Sequence, residues 1–384
     1  MIHQVVEYTA VLVVFLYLFY GFIMLKYHRG SLVSSVLFGS FFILIGLSVL
    51  DVYAQSSEFY LKHNHLAFIL NTIPLLFGPV LWLLSKAVIR PKDLFRSWDF
   101  LHFVPYFISV IAIVLGYHIQ SVEFKAEFIT RAFSGTGLVA VVPTFLLLAS
   151  IAVYVRYSFL LLKRYRVEIR NSQSDIEKIN LEWLEHVLLG FVTIGVITTV
   201  IQVFYFLDRD NNAWVGIVLF GLLLFLFYYI LNTFLKSMQS HGIFQDTETE
   251  RISSTEGNTK EVPLLIKSSI DQRMVDALKD HMDKTEAYLE PSISLNDLAK
   301  QVGMKPRVLS QVINQGFHKS FFDFINGLRI SHAQKLIEKN QDEKQTILEV
   351  MYASGFNSKS SFNTAFKKHS GFTPTMWKNT LNRK

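Results

Sequence analysis

The sequence predicts an all-α protein: a seven-helix transmembrane bundle followed by a soluble domain with two helix-turn-helix units joined by a linker helix. Three observations predict it. Apolar runs of about 20 residues, the length that crosses a hydrocarbon core of about 30 Å, recur seven times in residues 1–238. Residues 239–270 are polar and lose any hydrophobic period. Residues 271–384 return to the spacing of amphipathic helices, and one pattern of apolar positions around a glycine occurs there twice. Composition fits two unlike halves. With 51% hydrophobic residues and a mean hydropathy of +0.32 the chain is too apolar for an ordinary soluble protein, yet 18% of it is charged. The absence of cysteine excludes disulfides, thiolate metal sites and cysteine nucleophiles.

The seven runs are 5–25, 32–52, 66–89, 100–118, 138–162, 187–207 and 213–235. The first reads as a span and not as a signal peptide, because it lacks a basic start and no small-residue cleavage site follows. Orientation comes from the loops. Lys26, Arg29, Lys86, Arg90, Lys92, Arg96, Arg156, Lys163, Arg164, Arg166, Arg170 and Lys178 fall on one side, against Lys62, Lys125, Arg131 and Arg209 on the other. The richer side is assigned to the cytoplasm, which puts the N-terminus outside and the C-terminal domain inside.

Polar residues within the runs are the next candidates. Asp51 and Tyr53 end the second, Asn71, Pro74 and Pro79 lie in the third, Pro105 and Pro143 in the fourth and fifth, and Gln202 in the sixth. They read either as helix-packing polar groups and kinks or, for Asp51, Asn71 and Gln202, as a sensor pocket for a signal ligand near the outer mouth. His63 and His65 have no third ligand at metal-site spacing, so no metal is expected. No GxSxG, HExxH, P-loop or kinase pattern occurs, which leaves no catalytic constellation and no cofactor. Residues 163–185, with charges of both signs, are expected to be a solvated helical extension of the neighbouring spans.

Residues 239–270 include Asp246-Thr247-Glu248-Thr249-Glu250 and read as a flexible tether with a reach of about 30 Å. Beyond it Met274, Leu278 and Met282 start a packing helix. In the first unit Ser294 caps a helix carrying Leu295, Leu298 and Ala299, Gly303 supplies a turn with positive φ, and Pro306 opens a second helix with Leu309 and Ile313 inside. The device repeats 52 residues on: Ile347, Val350 and Met351, then Gly355, then Phe362 and Phe366 with one residue inserted and Ser358 as cap. Between the copies, residues 320–340 carry Ile325, Leu328, Ala333 and Leu336. A helix of that length spans about 30 Å, close to one turn of B-DNA. Lys359, Ser360, Asn363, Thr364 and Lys367 form a short polar basic face of the kind that enters a major groove. From Lys300 to Lys384 there are 14 Lys plus Arg against 5 Asp plus Glu, so the basic excess sits on these units.

With these residues in place, 273–384 resembles the DNA-binding domain of the AraC/XylS family of bacterial transcription regulators. The resemblance rests on Leu298-Ala299 with Val302-Gly303, Arg329 with Ala333, Gly355-Phe356, Phe362 with Phe366-Lys367-Lys368, and Gly371 with Pro374. It departs at Met351, where the family most often has Ala, which predicts a slightly wider helix crossing. The resemblance implies base contacts from Arg307, Ser310 and Gln311 in the first unit and from Lys359, Ser360, Asn363 and Thr364 in the second. Lys305, Lys367 and Lys368 are then expected to hold phosphates. The function so implied is a DNA-binding transcription regulator in the bacterial inner membrane, whose membrane domain senses a signal. Its partners are double-stranded DNA, the lipid bilayer, an unknown signal ligand and a second copy in a homodimer. Two other readings stay open: a transporter or intramembrane enzyme with a regulatory tail, and a tail that binds a protein partner.

Overall fold

The structure is a computed structural model that describes residues 2–26, 32–133, 138–177, 179–207, 218, 221–229, 232, 271–339 and 345–381. The described residues are helical apart from turns and one isolated bridge. They fall into two compact units, Met1–Lys163 with Leu181–Thr247, and Arg164–Asn180 with Glu248–Lys384. The tether expected over 239–270 lies outside the described residues.

The first unit contains α1 (Ile2–Lys26), α2 (Leu32–Ser56), α3 (Phe59–Lys62), α4 (Phe77–Ile89), α5 (Val104–Ile113), α6 (Val122–Phe133), the start of α7 (Leu138–Ser172), α8 (Glu182–Leu207) and α9 (221–229). Two glycines let α1 and α2 pack closely. A β-carbon on Gly21 would lie 2.9 Å from the Gly39 carbonyl oxygen, and one on Gly39 the same distance from that of Gly21. Larger side chains would force the backbones apart, as at small-residue interfaces between membrane helices. Beside that contact Tyr17, Tyr20, Phe42 and Phe227 form an aromatic cluster, and the Tyr17 hydroxyl donates to the Leu223 carbonyl at 3.0 Å. On the outer side of α1, Phe15, Phe19 and Phe22 are exposed, as a lipid-facing stripe would be.

Among the described residues three helical stretches are long and apolar enough to cross a membrane, against the seven expected: Glu7–Lys26, Leu32–Gln55 and Ser97–His118. The third expected run is broken. Phe68 has a φ of 66°, a turn follows, and Pro74 lies in the first turn of the helical stretch that begins at Ile73. Proline has no N–H to donate to a preceding turn and suits the start of a helix, so the run is confined to Ile73–Ile89, a shorter apolar helix. The fifth and sixth runs fall on α7 and α8, whose side chains are described only in part, and the seventh falls around α9, only partly within the described residues.

The second unit holds the end of α7 with the chain to Asn180, then α10 (Gln272–Thr285), α11 (Leu295–Gln301), α12 (Pro306–Gln311), α13 (Phe321–Lys339), α14 (Ile347–Ala353), α15 (Lys359–Ser370) and α16 (Pro374–Leu381). α13, at 19 residues, is about 28 Å long. Two hydrophobic cores form along it. Leu278, Met282, Leu298, Leu309 and Ile313 pack with Phe321, Phe324 and Ile325 in the first. Val350, Met351, Phe362 and Phe366 pack with Ile330, Ala333 and Ile337 in the second. Burial of each large side chain contributes about 2 kcal/mol by the area it removes from water. Met351 is itself buried in the second core, filling the place expected of a small residue. Residues 164–180 correct an expectation. The helix does extend, since α7 runs on to Ser172, but the segment is not simply solvated, because Ile169 and Ser174 are buried in this unit.

Candidate nucleic-acid interface

Each helix pair begins with the same local chemistry. The Ser294 hydroxyl accepts the Asp297 N–H at 3.2 Å while the Asp297 carboxylate accepts the Ser294 N–H at 3.2 Å. Thr346 and Glu349 repeat this, at 3.2 and 2.7 Å. The reciprocal bonds satisfy two backbone donors that a helix start otherwise leaves open. Gly303 and Gly355 then take φ of +68° and +80°, the left-handed region that glycine enters without strain. The inserted residue of the second unit lies in the turn. Lys305 holds the cap position of α12, without a side-chain bond, two residues after its glycine, whereas Ser358 caps α15 three residues after. Counted from the cap, Leu309 and Phe362 both stand fourth and are both buried. α12 continues through a π-helical turn, Val312–Gly316, and α15 stops at Gly371, whose N–H donates to the Lys367 carbonyl at 3.0 Å.

The residues singled out for DNA occupy the outer faces. On α15, Lys359, Asn363 and Lys367 recur every four residues with Ser360 and Thr364 beside them, and all five are exposed. Phe362, Ala365 and Phe366 take the buried face. At the first pair Lys305, Arg307 and Gln311 are exposed, while Ser310 is half-buried and accepts a hydrogen bond from Asn314 at 3.3 Å. Lys368 differs from its neighbour Lys367, because its ammonium lies 2.6 Å from the Asp323 carboxylate. Burial alone would raise the Asp323 pKa, but hydrogen bonds from Lys368 and Ser320 and the charges of Lys368 and Arg170 hold it below the usual carboxylate value.

Arg329, which the sequence placed in the linker helix, is 1% exposed. Its guanidinium donates to the carbonyls of Tyr288 at 2.6 Å, Glu290 at 2.7 Å and Pro291 at 3.1 Å, and lies 5.5 Å from the centre of the Phe356 ring. One side chain thus ties the connector of the first helix pair to the turn of the second. Burial pushes its pKa down to about 10, opposed by the charge of Asp175.

Of the sensor candidates, Asp51 and Asn71 come together and Gln202's side chain lies outside the described residues. The buried Asp51 carboxylate accepts the Tyr60 hydroxyl at 2.7 Å and the Gln55 amide at 2.8 Å, and Asn71 hydrogen-bonds it too. Tyr60 was not legible as a partner. It follows a chain reversal at Glu58, whose φ is 58°, and no helical period links it to Asp51.

Comparison with known proteins bears on this domain. Residues 298–380 match the model of a helix-turn-helix domain family. The HTH-type transcriptional regulator GlxA of Rhizobium meliloti is 31% identical over 98 residues, 26% of this chain and 29% of that protein. The HTH-type transcriptional activator RhaR of Salmonella dublin is 25% identical over 125 residues, 33% of this chain and 41% of that protein. The Msm operon regulatory protein of Streptococcus mutans is 23% identical over 128 residues, 30% of this chain and 45% of that protein. The chain therefore spans less than half the length of each of these relatives. No solved structure matches it. None of these relatives is named as an enzyme, and no group of three or more potential metal ligands occurs among the described residues. The chain carries, near its C-terminus, a helix-turn-helix domain related to those of bacterial transcriptional regulators.

Proposed function

We propose that the chain is a sequence-specific transcription regulator of AraC/XylS type held in the bacterial inner membrane. α12 and α15 read DNA and the apolar N-terminal half detects a signal. The observation that carries this reading is the doubled unit: two capped, glycine-turned helix pairs at the two ends of one 19-residue helix, each with a polar basic outer face. That spacing, about 28 Å, suits successive major grooves on one side of a duplex. Arg307, Ser310, Gln311, Lys359, Ser360, Asn363 and Thr364 then contact bases, and Lys305 and Lys367 contact phosphates. The apolar N-terminal half holds the domain on the cytoplasmic side of the bilayer, and the group around Asp51 and Asn71 belongs to the sensor. A signal that favours one arrangement of the bundle, or a homodimer, raises the local concentration of the reading helices.

The deciding experiment measures DNA binding by residues 271–384, whose two cores use only residues of that stretch, beside the full chain in lipid nanodiscs. Log affinity falls with log salt by about 0.9 per phosphate neutralised. Absence of any salt-dependent affinity in both preparations removes the reading. A periplasmic reporter fused after Leu235 stays silent if the topology is right, and its activity inverts the topology.

A further inference from the structure

Residues 164–180, the last turns of α7 with the segment that leads on to α8, are folded into the unit that holds the helix-turn-helix pairs. Their attachment is specific. Gln173 forms an antiparallel bridge with Ser294. Ser174 donates to the Ile293 carbonyl at 2.7 Å, and its own carbonyl accepts the Asn326 amide at 3.1 Å. Arg170 lies 3.2 Å from Asp323. These bonds put the end of α7 and the residues after it against α13 and the start of α11.

The attachment at α15 matters most. The Glu177 carboxylate accepts the Ser361 hydroxyl at 2.7 Å. Ser361 stands in the first turn of α15, next to Lys359 and Ser360. Unpaired N–H groups and the helix dipole make such a turn favourable for an anion, and Lys359 adds a full positive charge. A DNA phosphate has the same preference, and α15 presents its polar face from this end. Asp175 adds a second carboxylate to the segment, near enough to favour the buried Arg329 cation.

We propose that residues 164–180 are an internal strap that docks on the reading domain and competes with DNA, with Glu177 standing where a backbone phosphate would lie at the head of α15. Docked, the strap holds the domain off duplexes. Released, it frees the first turn of α15. The competitive half of this inference rests on the DNA-binding reading above, whereas the docking half stands on the bonds just described.

The native chain has no cysteine, so an engineered pair supplies its only thiols. Glu177→Cys with Ser361→Cys is introduced into the full chain in nanodiscs and oxidised, with Glu177→Cys and Lys284→Cys as control. The strap predicts an intramolecular cross-link in the first pair well above the control. The cross-linked protein loses affinity for a pool of random-sequence duplexes at low salt by about tenfold or more, the effect of leaving at most one molecule in ten competent, and regains it on reduction. In the cysteine-free chain, Glu177→Gln raises duplex affinity severalfold. A cross-link no better than the control overturns docking. A cross-linked protein that binds duplex as well as the reduced one, or a Glu177→Gln chain with native affinity, overturns competition. If reduced protein and Glu177→Gln chain both ignore every duplex, the DNA reading fails, and the cross-link alone still decides docking.

Discussion

Gly355 lies so close to the backbone of Leu289 that a β-carbon placed on it would be 2.7 Å from the Leu289 carbonyl oxygen. Its turn therefore serves two purposes. It reverses the chain between α14 and α15, and it seats the second helix pair against the connector that precedes the first.

Gly303 has the same backbone conformation but open space where a β-carbon would go. Gly303→Ala is expected to cost roughly 1–2 kcal/mol, the strain of a left-handed residue with a side chain. Gly355→Ala bears that strain and a clash with main chain, and is expected to cost about 2 kcal/mol more. Urea unfolding of residues 271–384 checks this, followed by Trp377, the single tryptophan of that stretch, which packs on the second core. Equal losses at the two glycines would show that the Leu289 contact is relaxed in solution.

Arg329 satisfies carbonyls that no other described donor reaches from α13. Arg329→Met is expected to destabilise the same fragment by about 2 kcal/mol, because three charge-assisted hydrogen bonds to the Tyr288, Glu290 and Pro291 carbonyls are lost together. Arg329→Lys recovers little, since an ammonium cannot reproduce a fork that serves Tyr288, Glu290 and Pro291 together.

The proposed DNA contacts sort by their surroundings. Arg307→Ala and Lys359→Ala are expected to relax sequence preference, at about 1–3 kcal/mol for the preferred site. Lys367→Ala weakens all sequences alike and lowers the salt slope by about one. Lys368→Ala changes that slope far less, because Asp323 already holds its ammonium. Binding to duplex panels across a salt series separates the three outcomes.

Asp323 provides a pH test. A carboxylate held below the ordinary value of about 3.9 adds stability above that pH, and the contribution disappears as pH falls through the depressed value. NMR titration of the native domain should place Asp323 below the ordinary carboxylate range. In Lys368→Ala it should move back up, since burial then acts against fewer positive partners. An unmoved titration would mean that Lys368 is solvated instead.

The helix pairs were legible in sequence because what builds them is local. Caps, glycine turns and apolar positions at i, i+3 and i+4 all lie within one or two helical turns of each other. The faces of α12 and α15 follow from the same spacing. Arg329 was visible only through resemblance, since its carbonyl partners lie 38 to 41 residues away and carry no side-chain signature. The strap was hidden more deeply. Ser174 and Asn326 are 152 residues apart, and the mixed charges of 164–180 read equally well as a solvated surface. In the membrane half, hydropathy located apolar segments but not the chain reversals at Glu58 and Phe68, which depend on backbone conformation and not on apolar content.

The placement of Arg329 at the border between the two cores has a consequence for how the domain melts and how it can be cut. Severing the lobes leaves the cation on one fragment and the carbonyls it serves on the other. The pair should unfold as one cooperative event, and a swap that grafts only one lobe onto a related regulator would import half of a keystone joint.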